Sequence, residues 1–426
     1  MFYKFLQFKN KLKTLIDWFK IYLNIEYDQK ISSQHNTFEF ISTKKVLTNT
    51  NKKFFLKTKN SWITLFPDAN CIIKKPKFIY KNKNNKFFMT EKNSSYSIND
   101  LIKQKKISGS ILANIKNAKI INNTLLVMVE KNLALIEGYG DFNWAKFKFN
   151  KWPDSHHYPN AKIKYFKKPI INKRIKLYFE SKKIKKIQKG IYFSTRNDDQ
   201  VYHWIFDNLT RLYCLDKITK LKSYPLIVKN KLSRFQIETL KLLGVKNKII
   251  YEPNKDIEVD NLIFPSIPSP PILNINSLNW LRNKFLTNIN KKFLDKNYHF
   301  YDKIFISRKD TNHRNIINED DLSFELEKRG YKTLELSKLD IANQILIFNK
   351  AKKIIIPHGA SGIHLLFIKK KTDIIEIQSP EQLNNSLYMI STNLGGNHKI
   401  AIGTNSLDKK SYNYYVDVKK IIKNID

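Results

Sequence analysis

Residues 352–378, which read KKIIIPHGASGIHLLFIKKKTDIIEIQ, decide the fold of this chain. An apolar run at 354–356 leads into a corner of small residues, and an amphipathic run at 363–368 leads into a second apolar run at 373–377. This alternation predicts a strand, a tight turn into a helix and a second strand, which together make a βαβ unit. The first turn of such a helix leaves N–H groups unpaired beside its positive dipole end, so the pattern favours an anion there.

The corner of this unit holds the candidate anion ligands. His358 can donate from its ring, and Gly359, Ala360, Ser361 and Gly362 can donate from their backbone. The glycines carry no side chain, so a ligand above the turn can approach the backbone closely. We interpret the corner as a diphosphate site.

The alternation of strands and helices extends to both sides of this unit. The segment 265–274 contains four prolines, cannot continue a sheet or a helix, and is predicted to begin a hinge. Two α/β halves around a hinge predict a cleft at the carboxyl ends of both sheets. The predicted strands lie at 190–194, 224–229, 248–253, 261–266, 304–307 and 332–336, and the predicted helices at 200–215, 234–243, 278–288, 319–330, 341–351, 380–394 and 416–425.

The chain is thereby predicted to have four parts. Residues 1–30 form a basic amphipathic helix, 31–188 a β-rich accessory region and connector, 189–275 an N-terminal Rossmann-like half and 276–426 a C-terminal nucleotide-binding half. The N-terminal helix suits either a membrane interface or packing on its own domain, and its apolar face decides neither. That face consists of Phe5, Phe8, Leu12, Leu15, Phe19 and Tyr22.

Composition limits the classes of partner. The formal net charge is +40, but the basic residues are mostly lysines spread along the whole chain, with no zinc-ligand or RNA-binding pattern. We attribute the charge mainly to compositional bias and do not expect nucleic acid as a partner.

Two cysteines among 426 residues indicate no disulfide framework. The sequence contains no run of about 18 apolar residues, so no membrane-spanning helix is predicted. The adjacent His156 and His157 are interpreted as surface residues rather than metal ligands.

A second motif, VYHWIFDNLTRL at 201–212, places polar residues at a four-residue spacing. On an α-helix His203, Asp207 and Arg211 would share one face at the expected cleft, where they could position a hydroxyl and take its proton. The alternative is a solvated face with an ion pair between Asp207 and Arg211.

A third motif, FISRKDTNHRNIINEDDL, follows a predicted strand. Arg308 stands at the strand end, where a guanidinium can grip phosphate oxygens at two points. Arg314 and Glu319 follow as candidates that contact the acceptor or support the cleft. Asn318 is a favourable helix N-cap, so Asn318 and Glu319 also suit a plain helix start.

The three motifs, in this order, resemble glycosyltransferase family 61, which includes bacterial capsular polysaccharide enzymes. The resembling blocks are VYHWIFDNLTRL, FISR…R…NE and PHGASGIHLLF…DIIEI, and the resemblance covers about residues 110–420. Two positions depart from the family pattern. Thr210 stands where the family commonly has proline, and residues 361–364 read SGIH instead of GLTN.

The resemblance implies a GT-B-like fold of two Rossmann-type domains facing a cleft, and inverting transfer of a sugar from a nucleotide-sugar donor. Arg308, His358 and residues 359–362 would bind the donor diphosphate. Asp207 is the candidate base with His203 as the close alternative. Glu376 is a candidate for the ribose hydroxyls, with a surface carboxylate as the alternative.

Metal-independent transfer is expected, without any other cofactor, because positive protein groups can do the work of a cation. The expected acceptor is a glycan or a lipid-linked oligosaccharide in surface polysaccharide (capsule or lipopolysaccharide) synthesis. The expected location is cytoplasmic, with possible peripheral contact between residues 1–25 and the inner face of the cell membrane. The alternative is a non-catalytic basic protein that binds a membrane or a polyanion and keeps only a degenerate cleft.

Overall fold

The structure is a computed structural model, and it describes the chain in the following ranges. They are 36–41, 61–70, 76–80, 106–107, 109–121, 125–130, 133–135, 174–177, 183–195, 197–268, 273–293, 300–381, 383–405 and 411–425. The predicted N-terminal helix and the pair His156–His157 lie outside the described residues. Among the helices that these ranges contain, none combines the length and apolarity that crossing a membrane requires.

The strands are numbered in chain order. They are β1 (Asn36–Ile41), β2 (Ser61–Phe66), β3 (Ala69–Asn70), β4 (Lys77–Tyr80), β5 (Lys106–Ile107), β6 (Ser110–Ile120), β7 (Val127–Glu130), β8 (Leu133–Leu135), β9 (Arg174–Leu177), β10 (Ile184–Tyr192), β11 (Leu226–Val228), β12 (Ile249–Tyr251), β13 (Asp256–Pro265), β14 (Lys303–Ile306), β15 (Lys332–Leu334), β16 (Lys353–Pro357), β17 (Asp373–Gln378), β18 (Asn397–Ile402), β19 (Thr404–Asn405) and β20 (Tyr414–Tyr415).

The α-helices in the described residues are α1 (Val201–His203), α2 (Tyr213–Lys217), α3 (Arg234–Leu242), α4 (Ile275–Phe293), α5 (Glu319–Glu327), α6 (Ile341–Lys350), α7 (Ser386–Asn393) and α8 (Val418–Ile422). A π-helical turn (Trp204–Asn208) and 3₁₀ helices (Leu209–Leu212, Thr219–Ser223, Leu336–Lys338 and Ala360–Phe367) complete the helical elements. The protein is therefore a mixed α/β protein, as the alternation of apolar patterns predicts.

The described chain forms two compact units. The first consists of Met1–Asn60, Ile115–Lys189 and Tyr251–Leu262, and the second of Ser61–Asn114, Gly190–Ile250 and Ile263–Asp426. In the first unit β7 pairs antiparallel with β6 and β8, and β1 pairs parallel with β8 and antiparallel with β9. Short paired strands of this kind agree with the β-rich pattern before residue 150. The predicted four-part division with its boundaries stays a prediction.

The second unit contains a six-stranded parallel sheet in the order β15-β14-β16-β17-β18-β4. Its central strands β16 and β17 are the apolar runs of the sequence KKIIIPHGASGIHLLFIKKKTDIIEIQ, and they pair directly, with Ile355 opposite Ile375. Continuous apolar strands suit a sheet that is covered on both faces. The strand–turn–helix–strand prediction is thus confirmed, with one correction: the connecting helix, Ala360–Phe367, is 3₁₀ rather than α.

One strand of this sheet comes from far away in the sequence. The strand β4 pairs parallel with β18 and so occupies an edge of the sheet. An edge strand exposes unpaired N–H and C=O groups, and β4 satisfies those of β18. Nothing in the local pattern of residues 77–80 predicts this partner.

Helices of both predicted α/β halves share one buried apolar cluster in the second unit. Trp204 and Phe206, near the start of the first half, belong to the same cluster as Ile356, Ile363 and Leu387 of the second. The arrangement of two Rossmann-type domains facing a cleft stays a prediction.

Candidate active site

The segment that carries His203 and Asp207 is helical but irregular. It begins with α1, continues as a π-helical turn and a 3₁₀ turn, and ends with α2. The Leu209 N–H bonds the Trp204 carbonyl five residues back, which is the π-helical pattern. Thr210, in the place of the family's proline, donates its hydroxyl to the Phe206 carbonyl at 2.7 Å. The prediction of one regular α-helix was therefore wrong in detail, and π-helical turns frequently occur at functional sites.

His203 and Asp207 form a directed pair across the π-helical turn. Nδ1 of His203 lies 2.7 Å from Oδ2 of Asp207, and their side chains are 22% and 3% exposed. A carboxylate only accepts hydrogen bonds, so the ring proton sits on Nδ1 and the Nε2 lone pair is left to accept a proton. The neighbouring Trp204 is buried and donates to Thr239 Oγ1 at 2.8 Å, which anchors the turn in the core.

Arg211 does not share the face of this pair. Its guanidinium is buried and donates to the carbonyls of Tyr192 (2.8 Å), Ser194 (3.2 Å) and Pro265 (2.7 Å). Burial lowers the pKa of Arg211 to about 10. The predicted three-residue stripe and its alternative, an exposed ion pair with Asp207, are both wrong. Arg211 instead bonds backbone carbonyls at the ends of β10 and β13 in the protein interior. It therefore supports the structure around the site and does not extend toward an acceptor.

Arg308 and Glu319 meet at the carboxyl end of β14. Glu319, buried at the start of α5, accepts from the Ser307 hydroxyl at 2.5 Å and from the Arg308 N–H at 3.2 Å. Asn318 precedes the helix as expected, but its side chain makes no cap; it pairs with both backbone groups of Val416. Glu319 thus fixes the backbone from which the Arg308 side chain extends.

The Arg308 guanidinium lies directly on Gly359. A Cβ atom placed on Gly359 would be 1.7 Å from Nη1 of Arg308, so only glycine leaves room for this contact. Nη2 donates to the His313 carbonyl at 2.9 Å, while the buried Nε has no hydrogen-bond partner. Burial lowers the pKa of Arg308, and Tyr414, Asp310 and Glu319 oppose this shift. The strand-end arginine and the small-residue corner, predicted from separate motifs, are therefore in contact.

Arg314 adds a second cation beside the first. Its backbone adopts a left-handed conformation with φ 59°, and its buried Nε has no hydrogen-bond partner. Burial and the neighbouring Arg308 charge both lower the pKa of Arg314. Among the described residues, neither arginine forms a salt bridge with a carboxylate, and the Arg308 guanidinium bonds only Thr311 and the His313 carbonyl there. This pair of cations is suited to an anion that is not part of the chain.

Within the corner, Gly362 has a different role from Gly359, Ala360 and Ser361. The Gly362 N–H bonds the Gly359 carbonyl at 3.0 Å, and a Cβ atom on Gly362 would be 2.2 Å from the Leu387 side chain. Gly362 therefore serves core packing, and its N–H is not available as the predicted diphosphate ligand. Ala360 is exposed and Gly359 and Ser361 are half-buried, so these three positions remain candidates.

His358 is held by a carboxylate. Its Nδ1 lies 2.5 Å from Oε1 of Glu376 on the next strand. Glu376 has no exposed surface. Burial alone would raise the pKa of Glu376, but the contacts with His358 and His398 lower it to about 2. A fully buried carboxylate engaged in this way does not agree with the predicted contact to ribose hydroxyls, nor with a surface carboxylate.

His364, which replaces the family's asparagine, is an internal residue. Its ring lies near Phe348, with centroids 5.2 Å apart, and Nδ1 is 2.9 Å from the Ser361 carbonyl. Burial lowers the pKa of His364 to about 4, so the imidazole is neutral at pH 7. His364 therefore packs in the core, and its bond to the Ser361 carbonyl connects the 3₁₀ helix to its own first turn.

Helix packing brings the two groups of residues near each other. The helix α1, which ends at His203, packs against the 3₁₀ helix Ala360–Phe367, which follows His358 and Gly359. Within the part of the chain that the structure describes, no group of three or more His, Cys, Asp or Glu residues is arranged to hold a metal ion. Whether transfer is metal-independent stays a prediction.

These features define a class of protein: a mixed α/β protein in which a His–Asp pair lies near two buried arginines suited to an anion. The comparison with known families agrees, because residues 201–375 match the family described as Glycosyltransferase 61. The chain thus carries a glycosyltransferase family 61 domain and is a glycosyltransferase. The matched segment contains His203, Asp207, Arg308 and His358, and it ends one residue before Glu376. No curated protein matches the chain.

Proposed function

We propose that this glycosyltransferase uses a nucleotide-sugar donor and transfers the sugar, with inversion, to a hydroxyl group of a glycan acceptor. The observation that carries the proposal is the contact of Arg308 with Gly359 beside Arg314. The buried Nε groups of Arg308 and Arg314 have no partners and can donate to an anion, and a diphosphate offers enough oxygens for both guanidinium groups.

The departing diphosphate is then stabilised by protein cations. As the bond between the anomeric carbon and the diphosphate oxygen breaks, negative charge develops on that oxygen. Arg308 and Arg314 oppose this charge without having to reorganise, because Glu319 and the glycine contact hold Arg308 in place. Nε2 of His358 is the free ring nitrogen of that residue and can donate to the same group when the ring is protonated.

The acceptor is activated on the other side of the reacting carbon. The acceptor oxygen forms the new bond to the anomeric carbon, and its proton passes to a base. The geometry favours Nε2 of His203 as that base and Asp207 as the group that orients it, because Asp207 is buried behind the ring. This reverses the order of preference that the sequence pattern suggested.

The wider setting follows from the family resemblance and the N-terminal sequence. We propose a role in surface polysaccharide synthesis (capsule or lipopolysaccharide), on glycan or lipid-linked acceptors, at the cytoplasmic face of the cell membrane. Residues 1–25 would provide a peripheral contact with anionic lipid. The donor would bind between two Rossmann-type halves in a GT-B-like arrangement, and transfer would need no metal.

Thermal unfolding with a panel of nucleoside diphosphates (UDP, GDP, ADP and CDP) tests the proposal. At about 100 times its Kd, a ligand that binds only the folded protein stabilises it by about 2.7 kcal/mol, so the matching nucleotide should raise Tm by several degrees. Arg308→Ala should remove this rise. Arg234→Ala is the matched control, because Arg234 is exposed and, within the described part of the chain, bonds Glu238 alone. No Tm change with any diphosphate, or a full change in Arg308→Ala, would contradict the proposal.

A further inference from the structure

A chain of buried polar side chains continues behind His358. It runs from His358, after β16, to Glu376 on β17 and on to His398 on β18. Nε2 of His398 lies 3.0 Å from Oε2 of Glu376, and the His398 side chain has no exposed surface. This is an ion-pair contact whose direction is not that of a hydrogen bond, and neither atom has a hydrogen-bond partner elsewhere among the described residues. Gln378 donates to the other oxygen, Oε1, at 2.9 Å. Sequence patterns did not point to His398, since it lies 22 residues from Glu376 and outside the matched family segment.

The proton positions in this chain follow from what each atom can do. The carboxylate of Glu376 only accepts, so Nδ1 of His358 carries the hydrogen of their bond. Nε2 of His398 also carries hydrogen, because its lone pair would repel the carboxylate oxygen at 3.0 Å. A buried carboxylate is strongly unfavourable unless donors or cations surround it. Here the His358 ring and the Gln378 amide bond Oε1, and the His398 ring lies at an ion-pair distance from Oε2. The same proton on Nδ1 leaves Nε2 of His358 as the atom that faces away from Glu376.

The far side of His398 is also fixed. Its Nδ1 lies 2.6 Å from the Ser391 hydroxyl on α7, which also reaches the Tyr388 carbonyl at 3.1 Å. Ser391 can donate to the ring, or it can accept from the ring and donate to Tyr388. His398 can therefore carry hydrogen on Nε2, beside Glu376, whether its ring is neutral or protonated.

Few other titratable groups face His398. The Tyr388 ring lies 5.3 Å away, and burial raises the pKa of Tyr388 to about 12, so it stays neutral. On the adjoining strand β4, Lys77 is in register with Lys399, whose side chain leaves the opposite face of β18 and donates to the Asn424 carbonyl. Glu376 and, through it, His358 are thus the ionisable partners of His398.

We propose that His398 is a positioning residue for the diphosphate site: it holds Glu376 as a carboxylate in the orientation that points Nε2 of His358 at the leaving group. This inference rests on the proposed function. Without the His398 contact, Glu376 takes up a proton more readily, because a buried carboxylate with fewer donors or cations around it is less stable in its charged form. Protonated Glu376 no longer orients and charges His358, so diphosphate binding in such a variant weakens as the pH falls.

The test compares His398→Leu, which removes the donor, with His398→Gln, whose amide can still donate to Glu376. The probe is inorganic pyrophosphate, which needs no knowledge of the nucleotide base, and binding is measured by calorimetry from about pH 7.5 down to about pH 4.5, toward the range in which carboxyl groups take up protons. We expect the ratio of Kd for His398→Leu over Kd for the unchanged protein to rise as the pH falls. For His398→Gln the ratio should stay constant.

The possible outcomes distinguish a failure of the His398 inference from a failure of the proposed function. If the unchanged protein binds pyrophosphate but both variants behave alike at every pH, or like the unchanged protein, His398 is only a packing residue and this inference is overturned. If the unchanged protein binds neither pyrophosphate nor any nucleoside diphosphate, the proposed function falls as well. Should His398→Leu not fold, His398→Asn, which is polar but too short to reach Glu376, takes its place with the same expected result.

Discussion

At the scale of single residues, the sequence predicts which side chains take part in the reaction but not which of them is the base. His203 and Asp207 are four positions apart, and either could act as a base when only their order is known. Burial separates them, because Asp207 is almost fully enclosed while part of the His203 ring reaches the surface. A buried carboxylate behind an accessible imidazole is the arrangement in which the imidazole exchanges the proton.

Separate substitutions of His203 and Asp207 test this assignment. His203→Gln should lower kcat about 10²- to 10⁴-fold, the usual contribution of a general base. Asp207→Asn should also lower kcat, because the amide no longer selects the tautomer with Nδ1–H. Both variants should keep the Tm rise with nucleoside diphosphate, which serves as the control for folding. Near-normal kcat in His203→Gln would make Asp207 the base after all.

At the scale of elements, the turn between β16 and the 3₁₀ helix shows two uses of glycine that look identical in sequence. Gly359 leaves room for the Arg308 guanidinium, and Gly362 leaves room for the Leu387 side chain. The φ of Gly359 is 170°, which is extended backbone, so neither its conformation nor strain requires glycine there. Space alone explains Gly359.

Alanine at each glycine should therefore produce opposite results. Gly359→Ala should displace Arg308 and abolish the Tm rise with nucleoside diphosphate while changing the Tm of the free protein little, because the displaced atoms belong to a flexible side chain. Gly362→Ala should lower the free energy of unfolding by about 1–3 kcal/mol through overpacking but keep the nucleotide response. Thermal unfolding of both variants with and without nucleotide measures the difference. A nucleotide response retained in Gly359→Ala would separate Arg308 from the diphosphate site.

At the scale of the whole molecule, charge is the least specific feature. Lysine and arginine outnumber aspartate and glutamate by 77 to 37, and lysines occur along the entire chain. Many described lysines form surface salt bridges with nearby carboxylates, such as Lys328 with Glu325, and such pairs contribute little to stability. The concentrated combination of aromatic and basic residues lies in residues 1–25, and the membrane proposal depends on them.

Deletion of residues 1–25 tests this dependence. The intact protein should sediment with vesicles of anionic lipid more than with neutral vesicles, and increasing salt should weaken the association because it screens the lysine charges. The shortened protein should remain in the supernatant and still show the nucleotide-dependent Tm rise. Equal sedimentation of both forms would refute the membrane role of this segment.

The order of elements around the site was predictable because it depends on local signals. Apolar periodicity, prolines and glycines identified β16, β17 and α6 within a few residues of their observed bounds, since burial of one face or both faces dictates such patterns. The motifs also predicted His203, Asp207, Arg308 and His358 as site residues, and their roles stay predictions. Local patterns cannot show that Arg211 turns inward, because its partners at Tyr192 and Pro265 are distant in sequence.

The sequence KKIIIPHGASGIHLLFIKKKTDIIEIQ by itself determined a parallel βαβ unit with small residues at the corner, since alternating apolar runs and glycines leave few other local structures. Only the tertiary structure decided what each polar residue of that unit does. Arg308 comes to rest on Gly359, and Glu376 is enclosed between His358 and His398. These assignments depend on which side chains meet after the strands have paired, and hydrogen bonding and burial act through space rather than along the chain.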